Sequence, residues 1–108
     1  MANPWAGEVA LTIDGELHIL KLTLGALAEL EDELNADTLV ALIERFEGGQ
    51  VSTRDVLALI VAGLRGGGWR GTRAELLSSE IRGGFVEATK VAGALLARAF
   101  ALPDQVAE

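Results

Sequence analysis

The sequence has no cysteine, no tyrosine and a single histidine, His18. Without thiols there is no disulfide, no thiolate metal site and no cysteine nucleophile. One histidine excludes a histidine-rich metal centre and any relay between two imidazoles. Basic residues are also scarce, nine against sixteen acids, for a net charge of −7. An acidic surface repels phosphate backbones, which argues against a general nucleic-acid partner. Long uncharged apolar runs are missing too. The longest apolar-rich stretch, 85–102, carries Glu87, Lys90 and Arg98 inside it, and charges at a bilayer centre are costly, so no membrane span or membrane partner is expected. The start of the chain lacks a basic segment followed by an apolar one, so no signal peptide is expected and the predicted location is cytoplasmic.

What is present suits a packed domain. The chain has 108 residues, half of them hydrophobic, enough to bury roughly two-thirds of its unfolded surface as one domain, 1–108. The first segment alternates. Glu8-Val9-Ala10-Leu11-Thr12-Ile13 and Glu16-Leu17-His18-Ile19-Leu20-Lys21 flank Asp14-Gly15, a strong hairpin signal that predicts strands within 8–21. A two-residue loop would put Val9 and Leu11 on one face with Leu20 and His18. A three-residue loop, Ile13-Asp14-Gly15, would put Val9, Leu11, Leu17 and Ile19 together. The second segregates polarity better and is the preferred register; it leaves His18 on a solvated face.

From Thr23 the period becomes helical. Thr23 caps a helix over 24–34, with Leu24, Leu27, Leu30 and Leu34 on its apolar side. Asp37 caps a second helix over 38–46, stopped by Gly48-Gly49. Ser52 and Asp55 make a near capping box for a third over 53–65, with Val51 and Val56 at the staple positions. Thr72 and Glu75 do the same for a fourth over 73–82. A fifth runs over 85–101 and ends at Pro103. The predicted fold is α+β: an N-terminal β-hairpin packed on a bundle of about five helices.

No catalytic constellation emerges. Gly66-Gly67-Gly68-Trp69-Arg70-Gly71 formally matches the glycine pattern of dinucleotide-binding folds, but it follows a helix rather than a buried strand, so it reads as a flexible helix–helix loop. His18 has no second ligand or nucleophile beside it. Glu29 and Glu33, with Glu31 and Asp32 between them, read as a solvated acidic face; Glu29 and Glu33 would work as an acid–base pair only if buried together. The last three of these acids fall in the final turn, where the helix dipole favours cations, and Glu29, Asp32 and Glu33 are a candidate acidic contact face. Trp69 with Arg65, Arg70 and Arg73 forms a small basic, aromatic loop, either an interface anchor or a plug for the core. The final helix is apolar over a wide arc, with Glu87, Lys90, Ala94 and Arg98 as its narrow polar stripe. Either this is the central helix of the domain, the favoured reading, or one edge of the arc faces another chain, with Val86, Val91, Leu95 and Phe100 as candidate partner-facing residues. No cofactor and no metal are expected.

Gly7-Glu8-Val9-Ala10-Leu11-Thr12-Ile13-Asp14-Gly15, then Leu22-Thr23-Leu24-Gly25-Ala26-Leu27-Ala28-Glu29-Leu30-Glu31, then Glu44-Arg45-Phe46-Glu47-Gly48-Gly49 and Arg54-Asp55-Val56-Leu57-Ala58-Leu59-Ile60-Val61-Ala62-Gly63-Leu64-Arg65 form a series. It resembles the small tail-cluster proteins of alphaproteobacterial gene transfer agents, phage-like particles. That family is grouped with phage tail assembly chaperones. The resemblance spans about Gly7 to Phe100 and is densest through Arg65. It implies a non-enzymatic assembly factor that binds the tape-measure protein, or another tail protein, while the tube polymerises; a structural tail-tube component is the alternative role described for the family. An acidic interaction adaptor outside any phage context is the remaining reading. A second copy of the chain is a further candidate partner. The charge is unevenly spread: residues 1–50 hold ten acids and two bases, whereas 51–108 hold six acids and seven bases. The near-neutral half is where a protein partner is expected.

Overall fold

The computed structural model describes residues 7–34 and 39–99. Two strands and five helices follow in order: β1 (Glu8–Ile13), β2 (Glu16–Lys21), α1 (Leu24–Leu34), α2 (Leu39–Glu47), α3 (Thr53–Gly66), α4 (Arg73–Leu77) and α5 (Gly84–Ala99). This is the expected α+β arrangement, a hairpin on a helical bundle. The Asp37 cap, Phe100 and the Pro103 stop lie outside the described residues, as does the side chain of Glu33.

The hairpin takes the register that the polarity argument rejected. Ile13 faces Glu16, Leu11 faces His18 and Val9 faces Leu20. Asp14 and Gly15 both have positive φ, 52° and 80°, a primed two-residue turn whose twist matches that of the strands. Turn geometry therefore outweighs segregation of polarity, and Leu17 is left 61% exposed. His18 moves to the core-facing side, half-buried, with Nε2 3.9 Å from Glu16 Oε1.

α3 is the centre of the molecule. Its Val56, Leu59, Ile60 and Leu64 are sealed from solvent, and the helix packs against α1, β2 and α5. Val9, Leu11, Leu20, Ala92 and Leu95 complete the same core. Both expected capping boxes form, Ser52 with Asp55 and Thr72 with Glu75. Thr23 Oγ1 caps α1 by accepting from the Ala26 N–H at 3.1 Å. Ala26 and Leu30 supply its buried stripe with Leu27 at the edge, while Leu24, expected on the apolar side, is 86% exposed.

α4 is shorter than the expected 73–82. The Ser78 and Ser79 hydroxyls both donate to the Glu75 carbonyl, which closes the helix. The chain then runs along β1: Asp14 N–H donates to Glu80 O at 2.8 Å, Arg82 N–H to Thr12 O at 3.0 Å, and Ile81 bridges Ile13. The other end of the same strand edge is held by the Arg98 guanidinium, which donates to Glu8 O.

Candidate functional site

The glycine run is not a loose loop. A Cβ at Gly66 would fall 1.9 Å from Lys21 O, and one at Gly67 would fall 1.9 Å from Ile19 O. The end of α3 lies directly on the outer edge of β2, an approach open only to glycine. Trp69 follows. Its N–H donates to Leu64 O at 2.8 Å, and its ring lies over Gly71, where a Cβ would come 2.0 Å from Trp69 Cζ2. The indole is half-buried against the core, with Leu17 and Ile19 of β2 bordering the same cleft. Arg65 reaches back to Glu29 at 4.0 Å, an exposed pair of little energetic weight. Arg70 is exposed and Arg73 half-buried.

The α5 candidates divide. Val91 and Leu95 face the core rather than a partner, 4% and 0% exposed, because α5 is the helix that covers β1 and α3. Val86 is 66% exposed, next to half-exposed Phe85. On α1, Glu29 and Asp32 are exposed, as is Glu31, so the acidic face is solvated rather than a buried acid–base pair.

Two shallow clefts border Leu17, one along each edge of the hairpin, and each reaches a core-side strand residue, Leu11 in the first and His18 in the second. One, of about 390 Å3, is bordered by Ala10, Thr12, Leu17, Arg82 and Glu87. The other, of about 460 Å3, is bordered by Leu17, Ile19, Trp69 and Arg70. A smaller apolar groove of about 210 Å3 lies between α2 and α5, lined by Ile43, Phe46, Gly93 and Leu96. None brings together a nucleophile, a base and an oxyanion donor. Among the described residues, no group of three metal-binding side chains is close enough to hold an ion, and no helix is long and apolar enough to cross a membrane.

Sequence reasoning found the Ser52–Asp55 cap and missed its second partner. Arg45 of α2 donates from Nε to Asp55 Oδ2 at 3.2 Å and from Nη2 to Oδ1 at 3.1 Å. Nothing in the spacing of ten residues across a glycine loop announces that pair.

The arrangement is a small α+β fold, a hairpin on a helical bundle, with solvent-facing apolar side chains and, among the described residues, no group able to hold a metal ion. A family model described as phage tail tube protein, GTA-gp10, matches residues 6–102, and the chain belongs to that family. It is thus a tail-cluster protein of a phage-like particle, and a non-enzymatic one. Neither the curated proteins nor the solved structures contain a significant match.

Proposed function

We propose that this chain is a structural component of a phage-like tail, working through contacts with other tail proteins. The observation that carries the reading is the match to the tail tube family over 6–102. Exposed Leu17, Leu24, Leu77, Phe85 and Val86 support it, since apolar side chains left in solvent by the folded monomer are the raw material of a protein interface. The test is quantitative protein analysis of purified particles. A structural subunit is present in many copies per particle.

A second reading is a tail assembly chaperone that binds the tape-measure protein and leaves. It is favoured by the covered hairpin edges. β1 is occupied by residues 80–82 and by Arg98, β2 by Gly66 and Gly67, so the sheet has little free edge with which to continue into a neighbour by main-chain pairing. This role requires the chain to be absent from finished particles and to co-purify with the tape-measure protein before assembly.

A further inference from the structure

We propose that the outer face of the hairpin is a docking surface for the exposed stripe of α1 of a second copy of this chain; the inference rests on reading the chain as a structural subunit. Because Thr12 faces Leu17, Ala10 faces Ile19 and Glu8 faces Lys21, the side of the hairpin turned away from the core carries an apolar strip of Ala10, Leu17 and Ile19, with one acid and one base at the end away from the turn. Leu17 stands up from it, 61% exposed, with a cleft on either side. The two clefts, one at each edge of the hairpin, also hold exposed Arg82 and exposed Arg70, with Glu87 as an acid in the first.

The complement is on the same molecule. In α1, Leu24, Ala28, Glu31 and Asp32 are spaced i, i+4, i+7 and i+8, so they share one stripe, and all four are exposed. Leu24 is 86% exposed, more than the other large hydrophobic side chains left in solvent. The stripe is apolar toward the start of the helix and acidic toward its end. Its acids also sit at the helix C-terminus, where an isolated helix is destabilised by negative charge; a cationic partner surface relieves that cost. Apolar Leu24 and Ala28 match the Leu17 strip, and Glu31 and Asp32 match the arginines at its edges. Glu29 does not take part, because it already faces Arg65. The two surfaces differ, so the contact is head-to-tail. Repetition of such a contact closes into a ring or continues as an open chain.

The experiment is sedimentation velocity of the full chain over a range of concentrations at low and high salt. Wild-type protein is expected to self-associate and to weaken as salt screens the charged edges. Leu17→Glu on one surface and Glu31→Lys with Asp32→Lys on the other should each weaken association by about tenfold or more, with unchanged circular dichroism since all three side chains are exposed. Mixing these two variants is decisive. Each keeps the surface the other has lost, so together they should form a one-to-one pair that neither forms alone. A wild-type chain that stays monomeric, association indifferent to both variants, or a mixture that does not pair overturns the proposal. If the chain is abundant in particles yet monomeric when pure, this inference fails and the structural role stands. If the variants pair as expected yet particles lack the chain, the structural role fails and the contact stands.

Discussion

The Asp55 carboxylate accepts from the Ser52 N–H at 3.1 Å and from both arms of Arg45, and it is 6% exposed. One side chain thus closes the N-terminus of α3 and fastens α2 to it. Asp55→Ala removes a capping bond and leaves Arg45 without its bidentate acceptor, and should cost about 2–3 kcal/mol in urea denaturation. Arg45→Ala keeps the cap and should cost less, about 1–2 kcal/mol, because Arg45 is half-exposed and its loss strands only part of the carboxylate's bonding. Equal losses would show that the cap contributes nothing beyond the ion pair. Two glycines give opposite signs on the same assay. Gly67→Ala drives a methyl into Ile19 O and should destabilise by about 2 kcal/mol or more. Gly25→Ala, in α1 with only Thr23 Oγ1 at 3.9 Å from the added methyl, should stabilise by about 0.5 kcal/mol.

The hairpin turn shows what the sequence could and could not reveal about an element. Asp14-Gly15 marked the turn correctly, and the Ser52–Asp55 box marked the start of α3, because turns and caps are local signals. The register was not legible from polarity. Leu17 on the outer face looks like an error until the face is seen as a surface in its own right, and the primed turn fixes the pairing whatever the side chains prefer. The end of α4 was not legible either, because residues 80–82 run along β1 and its turn, where Glu80 bonds Asp14, 66 residues away along the chain. Separation along the chain likewise hid the reason for the glycine run, whose neighbour is β2. Asp14 ties these points together: its N–H donates to Glu80 O, and its Oδ1 accepts from the Glu80 N–H at 2.8 Å. Asp14→Ala should therefore lower stability by about 1–2 kcal/mol, through a lost hydrogen bond and a left-handed φ that alanine resists. Asp14→Asn keeps both features and should stay within about 0.5 kcal/mol of wild type. A loss in the asparagine variant as large as in alanine would assign the effect to charge instead of turn geometry.

At the scale of the whole molecule, the charge difference between the two halves of the sequence does not survive as two separate ends. α1 packs against α3, and Glu29 meets Arg65, so acidic and basic residues share a border while Glu31 and Asp32 stay clear of it. The organising element is α3. It touches α1, β2, α4 and α5, and Val56, Ala58, Leu59, Ile60 and Leu64 have almost no exposed surface. α4, by contrast, has five residues with one buried side chain, Leu76. Opening α3 exposes apolar surface on four neighbours at once, whereas opening α4 exposes one leucine. Amide hydrogen exchange should therefore separate them. The amides of Leu59 through Gly63 should exchange only through global unfolding, with the highest protection in the chain, while those of Leu76 and Leu77 exchange through local opening and respond weakly to denaturant. Asp55→Ala would then speed exchange throughout the centre of α3 by the full loss in global stability and leave α4 almost unchanged. Should the centre of α3 exchange as fast as α4, the molecule would have to be held together by contacts to another chain rather than by this helix.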